Sequence, residues 1–86
     1  DKNELNIYPN PAVNDFRLSL SLENRSDLKV TVRDLSGRLV KTMSAKNVPA
    51  GTESLKVDVS NLSTGTYVVT LINGTEVRSS KLIIKK

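Results

Sequence analysis

The sequence predicts an all-β fold, two antiparallel sheets packed face to face and built from seven short strands. Three observations predict it. Apolar and polar residues alternate with a period of two along much of the chain, which gives each such strand one dry face. Glycine, proline and asparagine interrupt the alternation at short intervals, and no segment carries the 3.6-residue period of an amphipathic helix. The balance of 37% apolar and 26% charged residues is that of a chain with enough apolar side chains to form a core.

The first strand is Leu5 to Tyr8. It must stop at Pro9-Asn10-Pro11, because each proline lacks an N–H and restricts the residue before it. Phe16, Leu18, Leu20 and Leu22 then alternate with Arg17, Ser19 and Ser21 in a second strand. Leu28, Val30 and Val32 repeat the pattern against Lys29, Thr31 and Arg33 in a strand that ends near Leu35. Ser36-Gly37 turns the chain into a fourth strand, Arg38 to Met43, with Gly37 supplying the positive φ of a tight hairpin. Val48-Pro49-Ala50-Gly51 is a looser turn, followed by a strand with Leu55, Val57 and Val59 on one face.

Tyr67 to Ile72 is apolar on both faces, as a central strand should be, and Asn73-Gly74 after it is the strongest hairpin signal in the chain. The last strand runs from about Glu76 to Lys85. A two-residue Asn73-Gly74 loop would set Arg78 opposite Val69 and Glu76 opposite Leu71, two charges against the core face. A three-residue bulged loop pairing Val77 with Leu71, with a second irregularity near Ser79-Ser80, is therefore the preferred register; it turns Leu82 and Ile84 inward and Ile83 outward. Leu62-Ser63-Thr64-Gly65-Thr66-Tyr67 has the spacing of a tyrosine corner, which makes Tyr67 structural and the architecture an immunoglobulin-like sandwich.

With 86 residues the chain is read as a single domain, 1–86. It contains no Cys and no His, so neither a disulfide nor the commonest transition-metal ligands are available. The net charge of +4 suggests nucleic acid, but the basic residues are scattered and the only aromatics are Tyr8, Phe16 and Tyr67, too few to stack bases; no nucleic-acid partner is expected. No apolar run is long enough to span a bilayer, and the start Asp1-Lys2-Asn3-Glu4 lacks the charged and apolar regions of a signal peptide.

Chemistry is absent by the same reading. A nucleophile would have to be a Ser-Lys pair, yet Ser80 and Lys81 are neighbours on opposite strand faces. Asp27, Asp34, Glu53, Asp58 and Glu76 fall at strand ends, turns or outward positions. The four glycines are isolated turn residues, so there is no phosphate loop and no calcium loop. Asn24-Arg25-Ser26, Asn61-Leu62-Ser63 and Asn73-Gly74-Thr75 match the glycosylation acceptor, and turn chemistry accounts for these asparagines. No enzyme activity and no cofactor are expected.

Four segments together resemble the type A C-terminal sorting domain of the type IX secretion system. Leu5-Asn6-Ile7-Tyr8-Pro9-Asn10-Pro11-Ala12 looks like that family's opening strand and Y-P-N-P turn. Val32-Arg33-Asp34-Leu35-Ser36-Gly37-Arg38-Leu39-Val40 is similar to its D-x-x-G-[RK]-x-V hairpin. The stretch from Asp58 to Val69 resembles its D-x-S-x-L-x-x-G-x-Y-x-V element, and Ser80-Lys81-Leu82-Ile83-Ile84-Lys85-Lys86 its terminal K-[LI]-[IV]-[IV]-K strand.

The resemblance implies a domain that closes a larger exported protein and addresses it to the outer membrane, crossing the periplasm to the cell surface or beyond. It implies two partners, an outer-membrane translocon and a surface sorting peptidase that usually removes the domain. It places export information on Gly65, Tyr67, Lys81, Leu82, Ile83, Ile84, Lys85 and Lys86, with Pro9, Asn10, Pro11, Gly37 and Arg38 as secondary candidates. For the turn residues backbone geometry is the competing explanation. For the last strand, an edge with an apolar spine could add a partner strand or self-associate weakly. The alternatives are an adhesive or carbohydrate-binding module, disfavoured by the scarcity of aromatics, and a passive spacer.

Overall fold

The structure is a computed structural model, and it describes residues 5–86. Seven strands follow one another: β1 (Asn6–Tyr8), β2 (Asp15–Leu22), β3 (Ser26–Asp34), β4 (Leu39–Val48), β5 (Gly51–Asp58), β6 (Gly65–Asn73) and β7 (Glu76–Ile84). They form a three-stranded sheet in the order β1-β2-β5 and a four-stranded sheet in the order β4-β3-β6-β7, with antiparallel pairing throughout. The expected sandwich is therefore present. Its consecutive antiparallel pairs are β1-β2, β3-β4 and β6-β7, while the links β2-β3, β4-β5 and β5-β6 carry the chain from one sheet to the other.

The core is what the alternation requires. Phe16, Leu18, Leu20, Leu22 and Val57 of the smaller sheet face Leu28, Val30, Val32, Val69, Leu71, Leu82 and Ile84 of the larger one, all buried. β6 is paired on both sides, by β3 and β7, as its two apolar faces predict. β4 runs on past Met43 to Val48 because β3 begins early enough to pair with it, through a bulge between Ser26 and Leu28. Asn47 takes φ 55 at this irregularity, and its N–H donates to Asp27 Oδ1 at 2.9 Å.

The last hairpin differs from the bulged register. Its loop is Gly74-Thr75, with Gly74 at φ 62 in the first loop position, and Asn73 pairs with Glu76. Leu71 then lies opposite Arg78, Val69 opposite Ser80, Tyr67 opposite Leu82 and Gly65 opposite Ile84 without interruption. Placing the loop one residue later brings Leu82 and Ile84 inward with no second irregularity, so the bulges near Thr75 and Ser79-Ser80 are unnecessary. Arg78 does occupy a core-side position, opposite Leu71, but near the hairpin end of the strand, where it is only half-buried and lies 3.5 Å from Glu76. There the charge keeps its water.

Candidate functional site

Strand register gathers the four motif segments at one pole of the sandwich. β3 enters it with Asp34 opposite Tyr67, β6 leaves it from Gly65, and β7 ends there with Ile84 opposite Gly65. β2 starts at the same pole, with Asp15 opposite Asp58. Segments far apart in the chain thus become neighbours.

Asp34 organises the first of the two turns that frame the pole. Its Oδ1 accepts from the Ser36 N–H at 3.0 Å, the Ser36 hydroxyl at 2.6 Å and the Arg38 N–H at 3.1 Å, while Arg38 Nε donates to Oδ2 at 3.2 Å. The Ser36 hydroxyl, more than any other group, holds the Asp34 carboxyl below its ordinary pKa, with the backbone N–H groups and the Arg38 charge adding to it. Gly37 sits at φ 92 with open space around it, so it is a glycine for backbone reasons. Arg38 is a turn-closing residue here, not a free cation. Leu35 projects from the tip of this turn, 73% exposed.

The second turn is the tyrosine corner. Tyr67 is buried, and its hydroxyl donates to the Ser63 carbonyl at 2.7 Å, four residues upstream. Asp58 Oδ1 accepts from the Ser60 N–H at 2.9 Å, and the hydrogen bonds of Ser60 lower the Asp58 pKa. Gly65 differs from Gly37. Its φ is not in the left-handed region, and a Cβ there would meet the Tyr67 ring at 3.7 Å, an ordinary contact, so backbone geometry does not demand glycine.

The terminal segment is tied into this corner. Lys86 donates its N–H to Thr64 Oγ1 at 3.1 Å and its Nζ to the Ser60 carbonyl at 2.6 Å. Leu82 and Ile84 are fully buried, while Ile83 is 38% exposed between the exposed Lys81 and Lys85. The inward and outward assignments of the three apolar residues agree with the sequence reading.

The edge of β7 is a different matter. Asn10 reaches across from the Pro9-Asn10-Pro11 turn, its Nδ2 donating to the Lys81 carbonyl at 3.0 Å and its Oδ1 accepting from the Ile83 N–H at 2.9 Å. One step on, the Ala12 N–H donates to the Ile83 carbonyl at 2.8 Å and the Lys85 N–H to the Ala12 carbonyl at 2.9 Å. The side-chain amide imitates a strand residue, and Ala12 supplies a one-residue parallel bridge to Ile84. From Lys81 to Lys85 the edge that looks open in the sequence is covered. Ala12, fully buried, and Asn14, whose carbonyl accepts from the Val59 N–H at 2.9 Å, also hold this end of the fold, and neither is among the expected recognition residues.

Among the described residues no cluster of acidic side chains could hold a metal ion, and no helix is present to cross a membrane. A cleft of about 240 Å³ opens at the opposite pole between Glu23, Asn24, Glu76 and Arg78. The four motif segments thus meet at one pole of the sandwich. The family model of the secretion system C-terminal sorting domain matches residues 6–85, and the chain belongs to that family. Such a domain is the sorting signal for the type IX secretion system, directs export to the cell surface or extracellular space, engages that machinery, and is not a catalytic family. No curated protein matches the chain.

Proposed function

We propose that residues 1–86 are a type A sorting domain that closes a larger exported protein and is read at the motif pole while its cargo crosses the periplasm. The readers are the outer-membrane translocon and then a surface peptidase that removes the domain. The observation that carries this reading is the convergence of the P-N-P turn, the Asp34–Arg38 turn, the tyrosine corner and the terminal strand on one pole. Gly65 lends separate support, since the fold tolerates a side chain there and a reader pressed against the corner would not.

The recognition set then divides by burial. Tyr67, Leu82 and Ile84 build the surface from beneath, whereas Gly65, Lys81, Ile83, Lys85 and Lys86 present it. Pro9, Pro11, Gly37 and Arg38 shape turns, and Asn10 holds the last strand.

The test fuses residues 1–86 behind a signal peptide and a reporter in a bacterium with the secretion system. Gly65→Ala, and Lys85 with Lys86 changed to serine, should each leave the melting temperature of the domain close to wild type and strand the reporter in the periplasm. Normal surface delivery by both variants would refute the assignment of the pole as the surface that is read.

A further inference from the structure

The cover on the terminal strand is thin for its purpose. In an antiparallel ladder alternate residues direct both backbone groups to the same side. Ile83 directs its N–H and carbonyl away from β6, to Asn10 and Ala12. A full neighbouring strand would answer these groups with backbone alone. The strap answers two of its four hydrogen bonds with a single side chain, and its prolines at 9 and 11 have no N–H to give. Pro9, Asn10 and Pro11 are all exposed, so displacement starts at the Asn10 end, and the buried Ala12 leaves the core only when the whole strap is exchanged.

The face beside this edge has a definite chemistry. Lys81, Ile83 and Lys85 share the outer side of the last strand, an apolar side chain between two cations. Arg33 extends the row of Lys81 across the sheet, through Val68. No ion pair among the described residues uses Lys81, Lys85 or Arg33. A strand lying along this edge is matched in charge if it carries carboxylates two positions either side of an apolar residue.

We propose that the Lys81–Lys85 edge is a strand-exchange site: an acidic extended segment of a partner protein displaces the Asn10–Ala12 strap and pairs with the backbone of the last strand. This rests on the reading that the motif pole is what the secretion machinery recognises, and it says how. Binding is by β-augmentation, with backbone hydrogen bonds for affinity and the Lys81, Ile83 and Lys85 side chains for specificity. The strap keeps the edge closed to other strands until such a segment arrives. Because the edge must open first, apparent affinity scales with the open fraction.

The experiment uses a capped peptide, Glu-Thr-Val-Thr-Glu, and its Lys-Thr-Val-Thr-Lys counterpart, titrated into the ¹⁵N-labelled chain. The acidic peptide should shift the amides of Ile83 and Lys85 and the side-chain amide of Asn10; the basic one should not. Asn10→Ala should bind the acidic peptide several-fold more tightly, with circular dichroism showing the fold intact. In a chain free of cysteine, Asn10→Cys with Lys81→Cys joined by a short bis-maleimide should lose binding that the unlinked form retains.

Equal affinity of wild type and Asn10→Ala, binding to the linked form, no response to the acidic peptide, or self-association through this edge in sedimentation would each overturn the proposal. If it falls while Lys85 and Lys86 substitutions still block export, the pole stands as the recognised surface by another mode. If those substitutions leave export intact, the broader reading fails on its own test.

Discussion

Changing Ile84 to threonine and, separately, Ile83 to threonine applies one chemical change to two neighbours that the fold treats oppositely. Ile84 is fully buried and Ile83 is 38% exposed. At position 84 the change removes buried hydrocarbon, worth about 0.5–1.5 kcal/mol by analogy with Ile→Val, and leaves a hydroxyl without a partner in an apolar core, a further ~1–3 kcal/mol. The expected loss of about 2–4 kcal/mol is a large part of the stability of a domain this small. At roughly 4–8 °C per kcal/mol, the melting temperature should fall by about 10–30 °C. At position 83 the hydroxyl meets water and the β-branched side chain still suits a strand, so the loss should stay below about 1 kcal/mol. Thermal denaturation followed by circular dichroism measures both. Equal destabilisation would show that the last strand is not in the register that pairs Tyr67 with Leu82 and Gly65 with Ile84, and the assignment of Ile83 to the outer face would fall with it.

The corner and the turns give two more expectations. Tyr67→Phe removes the hydrogen bond to the Ser63 carbonyl and should cost about 1–2 kcal/mol, seen as a fall in the denaturant midpoint with an unchanged slope; a neutral result would mean the corner does not lock the sheets. Asp34 and Asp58 both have pKa values lowered in the folded state, chiefly by hydrogen bonds from Ser36 and Ser60. Their contribution is therefore complete above the unfolded carboxylate pKa, about 4, and is lost as pH falls from there through the folded values. Melting temperature should decline as pH falls below about 4, and Asp34→Asn should flatten the decline; an identical slope in the variant would place the acid sensitivity elsewhere.

The parts of this fold that were readable in the sequence are those governed by alternation. Phe16 to Leu22 and Leu28 to Val32 each announce their strand and its buried face, because a one-residue slip would turn the whole set outward, whereas Tyr67 to Ile72, apolar on both faces, announces only that it is a central strand. The last hairpin departs from its expected register for the same reason in reverse. A charge opposite the core face argues for a bulged loop, whereas a sandwich has open ends at which an arginine such as Arg78 on the inner face still reaches solvent. Asn10 shows a different limit. Its bond to Lys81 spans 71 residues of sequence, and no local pattern says that a side-chain amide between two prolines will complete a distant strand. The motif drew attention to the residue, and only the fold supplied its task.

That task connects the two ends of the family pattern. Taken singly, the P-N-P turn explains itself as a chain reversal and the terminal strand as a core-filling edge. Their contact makes one the complement of the other. A strand that carries recognition must keep its backbone available to a partner, and a strand at a sheet edge must not be available to every partner. A cover of one side-chain amide and one buried alanine, hung on a turn whose prolines donate nothing, meets both requirements. It satisfies the backbone groups of Lys81 to Lys85 that point away from β6, and it leaves the Lys81, Ile83 and Lys85 side chains exposed, the pattern by which, on the proposal above, a partner strand is selected.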